Sequence, residues 1–223
     1  MRLQSTHAIL FATAAALALT QPGFAATHTV PAHDHTAAAA SVADSSKLAA
    51  TRAALRDLWI GHIFWTRNVV VAALAHDAAA QQTAEAQVVA DAQAIAGAIE
   101  PFYGAAAKKK LFTLLAGHYG AVKAYTEAAL AKNEKRESEA TSKLLDNAGE
   151  IATFLSSANP HLAKATLEEL LQAHGGHHIA QIQQLQTKDY AAEAKTWADM
   201  SQHMYVLSDA LADALAKQFP TKF

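Results

Sequence analysis

The chain has no cysteine. Disulfides and thiolate metal ligands are therefore excluded, and stability has to come from a packed core. Proline is scarce, and between residues 45 and 219 it occurs at Pro101 and Pro160 alone, so long helices can run with few interruptions. Charge is low in amount and in imbalance, at 17% charged residues and a formal net charge of −2, which gives no basic footprint for nucleic acid. The sequence has no Gly-rich phosphate loop, no Cys-x-x-Cys-His haem attachment and no Gly-x-Ser-x-Gly nucleophile elbow. Beyond the N-terminal region no apolar run approaches the roughly 20 residues that cross a bilayer.

What remains is rich in alanine and leucine, 52% apolar over 223 residues. Arg2 is the first charge, Ile9 to Leu19 is apolar, and Gly23 and Ala25 are small residues suited to signal peptidase. Residues 1–25 read as a secretory signal peptide rather than an uncleaved anchor, and the expected location is exported, periplasmic or secreted. Residues 26–44 have few large apolar side chains and contain Pro31, His28, His33 and His35; they read as a flexible leader.

From residue 45 to 219 the apolar spacing is helical. Helices are expected over about 46–77, 82–99, 105–132, 136–157, 164–186 and 188–218. The third carries Leu111, Leu114, Leu115, His118, Val122 and Tyr125 on one face. The fourth carries Leu144, Ala148, Ile151 and Leu155, and the fifth Leu167, Leu170, Leu171, His174, His178 and Ile182. Thr166-Leu-Glu-Glu169 reads as a capping box opening the fifth helix, and Gly175-Gly176 within it as a kink or frayed turn. Short connections make sequential helices antiparallel neighbours. The fold class is all-α: an antiparallel helical bundle of about six helices.

Leu-x-x-Leu-x-x-x-His occurs three times, at Leu55/Leu58/His62, Leu111/Leu114/His118 and Leu167/Leu170/His174, with the histidines 56 residues apart. This weak repeat fits three helical hairpins. Each histidine sits on an inward stripe, so three imidazoles can meet in the core. Imidazole binds zinc, copper, nickel and iron. The competing assignment is three buried rings hydrogen-bonded to protein groups. His178 joins His174 on one helical face at i+4, a chelating spacing, unless the two glycines turn this stretch into a loop. Asn147 and Glu150 lie three apart beside the fourth stripe, and Glu150 is a further candidate ligand. Asp199 and His203 are four apart and form a carboxylate–histidine pair or an exposed ion pair. Thr66 stands where it can hydrogen-bond His62, and Arg67 lies off the stripe as an ion-pair partner. The Glu-x-x-His spacing of di-iron bundles is absent.

The leader adds one more candidate. Cleavage after Ala25 leaves Ala26-Thr27-His28, whose amine, two amides and imidazole make a nitrogen set suited to Cu(II) or Ni(II). The metal candidates are thus His62, His118, His174, His178, Glu150 and His28. The sequence points to a transition-metal-binding exported bundle, or to a non-catalytic envelope interaction or sensing module with structural histidines.

Leu58-Trp59-x-x-His62-x-x-Trp65-Thr66-Arg67, Glu100-Pro101-Phe102-Tyr103-Gly104 and Asn147-Ala-x-Glu150-Ile-Ala-x-Phe154-Leu155-Ser156-Ser157-x-Asn159-Pro160 carry a resemblance. With His118 and His174 they make residues 50–215 resemble an uncharacterised bacterial all-helical family, some of whose members are labelled acetylglutamate kinase. The resemblance implies an all-helical fold and a role for these residues.

Overall fold

Three tight turns set the architecture. At His76-Asp77, Lys132-Asn133 and Lys188-Asp189 the first residue is left-handed, with φ of 56°, 53° and 61°. The second accepts a hydrogen bond through its side chain from the amide three residues on, at Ala80, Arg136 and Ala192. In each turn the two backbone amides bond back into the preceding helix: Asp77 N to Ala72 O, Asn133 N to Ala128 O, and Asp189 N to Gln184 O. One helix is thereby closed and the next is capped within two residues. The three turns fall 56 residues apart, as the three histidines do.

The computed structural model describes residues 35–223, and side chains from residue 46 onward. Its helices are α1 His35–Leu74, α2 Ala78–Ala98, α3 Glu100–Leu130, α4 Glu134–Ala158, α5 Lys164–Thr187 and α6 Tyr190–Gln218, followed by a 3-10 turn at Pro220–Lys222. No strand occurs among the described residues. The fold is the six-helix all-α bundle that the apolar spacing implies. None of the described helices is long and apolar enough to cross a membrane.

Helix ends differ from the sequence reading in three places. α1 is already helical from His35, inside the span assigned to the leader. α3 begins with one turn at Glu100–Tyr103 before Gly104 breaks it at φ 81°, ψ 174°. Proline suits that first turn because its missing N–H would have no helical partner there, and glycine alone accepts the break without strain. α5 starts at Lys164 with no side-chain cap, so Thr166 and Glu169 lie inside the helix and form no capping box.

From α2 to α6 successive helices pack against one another, and α3 also meets α5; α1 meets α2 where Val69 joins Ala84 and Val88 in one buried cluster. The first helix returns to the last through three inter-helix pairs: Arg52–Asp213 at 2.6 Å, Arg56–Asp209 at 2.5 Å and Arg67–Glu193 at 2.7 Å. The core is built from every helix, with Ile63, Ala96, Ala152, Met200, Met204 and Leu207 wholly buried. Burying a side chain of Leu, Ile or Met size stabilises by roughly 1.5–3 kcal/mol.

The kink expected at Gly175-Gly176 is absent, and α5 is continuous across it. A Cβ on Gly175 would lie 3.1 Å from Leu144 Cγ and Cδ2. That glycine admits the flank of α4, while Gly176 faces open space.

Candidate metal centre

Because α5 is unbroken, His174 and His178 sit one turn apart on its buried side. Their Nε2 atoms are 3.1 Å apart. His62 comes from α1 and His118 from α3. One ring nitrogen from each of the four histidines falls within 4.8 Å of the others, and all four residues are buried. His118 stacks on His174 with centroids 5.4 Å apart and planes at 12°, and His62 lies 5.7 Å from His174. The convergence of His62, His118 and His174, expected from their recurrence, is present, and His178 joins them.

Burial makes these imidazoles neutral. It pushes His62 down to about 3, with the neighbouring His118 adding to the shift. It pushes His118 down to about 4, opposed by the nearby Asn147 side chain, which favours the protonated ring. His174 and His178 fall well below the ordinary range through burial, then through the surrounding rings. A neutral imidazole offers a lone pair without first losing a proton, the form that binds metals.

Hydrogen bonding leaves the cluster incomplete. His62 Nε2, both ring nitrogens of His118 and His174 Nδ1 are buried without a partner. Each such group costs about 1–3 kcal/mol in a folded interior. A shared ion fits this donor set. Ligands at about 2.0–2.1 Å from a tetrahedral ion are about 3.3–3.4 Å apart, close to the observed His174–His178 separation. The cluster contains no carboxylate, so it is suited to imidazole-preferring ions rather than to oxygen-seeking magnesium or calcium.

Other expected residues stand apart. Glu150 is exposed on α4, outside the cluster. It is three positions past Asn147, so the two side chains leave the helix about 60° apart, and the boundary of burial passes between them. Asn147 is the one turned inward; its Nδ2 donates to Leu114 O at 3.1 Å, and Gly117 makes room for it. Asp199 pairs with Lys195 at 2.6 Å instead of orienting His203. His203 Nε2 donates to Leu170 O at 2.8 Å, and its ring meets half-buried His177 at 5.5 Å. Thr66 Oγ1 is buried without a partner, so it makes no hydrogen bond to His62. His28 lies outside the described residues.

Two features went unnoticed in the sequence. Glu193 lies on the inner face of α6, clasped by Arg67 Nε and Nη2 at 2.7 and 3.1 Å and by Gln181 Nε2 at 2.9 Å. The signal was its place one turn before Thr196 and two before Met200 on the buried stripe: a carboxylate there requires a buried partner. Trp59 Nε1, beside His62 and His174, is buried with no acceptor. An indole in an apolar stripe gives no sign of whether its N–H is met.

No protein-family model, curated protein or solved structure matches the chain.

Proposed function

We propose that this chain is an exported helical bundle that holds one transition-metal ion, Zn, Cu, Ni or Fe, through His62, His118, His174 and His178. The observation that carries the reading is the set of unpartnered ring nitrogens turned together in a buried cluster. Asn147 beside His118 supplies a carbonyl oxygen, Oδ1, that is itself buried without a donor. A ligating histidine commonly donates its second N–H to such a group, which holds the ring in its metal-binding tautomer. With four neutral ligands the ion keeps its whole charge, and the bundle supplies a low-dielectric cage that holds it against exchange. Residues 1–25 direct export, and His28 of the leader is a capture ligand at a terminus freed by cleavage after Ala25.

The alternative is an envelope interaction or sensing module whose histidines are structural. The direct His174–His178 ring contact favours it, since it needs no ion. It leaves His62 and His118 unexplained, because their orphaned nitrogens find no partner in the protein.

Equilibrium dialysis against Zn(II), Cu(II), Ni(II) and Fe(II), followed by metal analysis, decides between them. The expected result is about one ion per chain for wild type and none in the core site of a His62→Ala/His118→Ala/His174→Ala variant. Equal, near-zero metal in both proteins overturns the metal reading.

A further inference from the structure

Below the histidines the bundle is not filled. A cavity of about 40 Å³ runs toward the end where α2 meets α3 and α4 meets α5, walled by hydrocarbon such as Leu55, Ile95 and Leu207. A second void of about 10 Å³ touches His62, His118 and His174. The two share Trp59, Leu115, Ile151 and Leu171 as walls, so they abut. At the far end Tyr103 and Asn159 line the cavity: Asn159 Nδ2 donates to Tyr103 Oη at 3.0 Å, and Tyr103 donates to Gln218 Oε1 at 2.6 Å.

Size and polarity restrict the occupant. About 10–15 Å³ of such space takes one water-sized group, so the cavity admits roughly three and the void one. A sugar, a nucleotide or a fatty chain is too large. The walls of the larger cavity are hydrocarbon apart from Trp59 at one end and Tyr103 and Asn159 at the other, too few partners to hold water along its length, and apolar voids stay dry while accepting apolar atoms and molecules. The one polar group shared by both spaces is Trp59, whose buried Nε1–H has no acceptor. The fit is a small uncharged molecule that prefers hydrocarbon to water and carries an acceptor atom at one end.

We propose that this cavity is a binding site for a diatomic gas of the dioxygen or nitric oxide class. It would lead the gas to the side of the cluster bounded by His62, His118 and His174, where a bound iron or copper ion would expand from four ligands to five and the unpartnered Trp59 Nε1–H would donate a hydrogen bond to the gas. The site rests on the metal reading above. Binding is by coordination, with no bond of the gas broken.

Two measurements on the full chain test it separately. The first uses xenon on metal-free protein, read by crystallography under pressure or by ¹²⁹Xe exchange. Xenon is expected in the cavity of wild type and is lost in Ala158→Phe, which fills the end remote from the histidines; Leu211→Phe serves the same purpose if that variant does not fold. The second loads the protein anaerobically with Fe(II) and adds nitric oxide, followed by the electron paramagnetic resonance of the iron–nitrosyl. Association is expected to slow at least about tenfold in the filled variant at unchanged iron content. Trp59→Phe, which removes one neutral hydrogen bond, is expected to weaken nitric oxide binding by about tenfold. Bound iron with no xenon, and with nitric oxide association equal in wild type and the filled variant, overturns this inference alone. A chain that takes up xenon but no metal overturns the metal reading and the delivery role with it.

Discussion

The Nε2 atoms of His174 and His178 lie 3.1 Å apart inside one continuous helix. Two ligands preset at nearly the spacing of a tetrahedral edge lower the ordering needed on binding, because the helix backbone already holds them. The other two rings arrive from separate helices, so an ion held as proposed would tie α1, α3 and α5 together.

Ion binding is therefore expected to raise thermal stability. A ligand at one hundred times its Kd adds about 2.7 kcal/mol. At about 2–4 °C per kcal/mol for a chain of this size, Tm rises by about 5–11 °C. Calorimetry with Zn(II) against the same protein in EDTA measures this, and the triple histidine variant is expected to show no shift. A shift of equal size in that variant places the ion elsewhere.

The metal-free protein is expected to be acid-sensitive from an unusually high pH. Unfolded histidines take up protons below about 6.5, whereas folded His62 and His118 refuse them until about 3 and 4. Their contribution to stability is complete above 6.5 and is lost as pH falls below it. His174 and His178 are shifted in the same direction by the same burial, so all four histidines lower stability together as pH falls through that window. Against a total stability of about 5–15 kcal/mol, unfolding is expected to set in between pH 6.5 and about 4, before most carboxylates titrate. Circular dichroism at 222 nm in EDTA checks this. A stability constant between pH 6.5 and 5, falling only where carboxylates titrate, contradicts it.

The two neighbouring glycines of α5 should respond differently to alanine. Gly176→Ala gains helix propensity of about 0.8–1 kcal/mol and meets nothing. Gly175→Ala gains the same propensity but presses a methyl within 3.1 Å of Leu144, and overpacking costs about 1–3 kcal/mol. Urea midpoints are expected to rise for Gly176→Ala and to fall or stay level for Gly175→Ala. A rise in both means that α4 yields freely.

Much of this bundle was legible in spacing alone. Leu111, Leu114, Leu115, His118, Val122 and Tyr125 form the buried face of α3, as their period implies. The three recurring histidines pointed to a shared centre, and the i,i+4 relation brought in His178. Glu150 was misplaced because a three-residue offset locates a side chain only to within a sector of the helix, and the edge of the core fell inside that sector. Gly175 was read as a break because propensity is local, whereas the approach of Leu144 comes from another helix. The cavity below the cluster had no signal at all: it is made of leucines and isoleucines that read as ordinary core, and only their joint failure to fill space creates it.

Among the three arginine pairs, Arg67 should matter most. Its partner Glu193 is almost wholly buried, with a side chain 6% exposed, while Asp213 opposite Arg52 is 39% exposed. Arg67→Ala strands a buried carboxylate and is expected to cost about 3–5 kcal/mol, against at most about 1 for Arg52→Ala. Chemical denaturation of the two variants gives the comparison, and equal losses contradict it. Glu193→Gln alongside Arg67→Ala is expected to recover part of the loss, since no lone charge remains inside.

That clasp also sets an order of events during synthesis. All four imidazoles are made before Glu193 leaves the ribosome, yet the helix bearing His62 is anchored by a carboxylate 126 positions downstream. A nascent chain that has not reached this glutamate owns every ligand but lacks the brace for one of them. On the metal reading proposed above, capture would await completion of α6, so a product terminated before Glu193 is expected to stay metal-poor and to be distinguishable by that deficit alone.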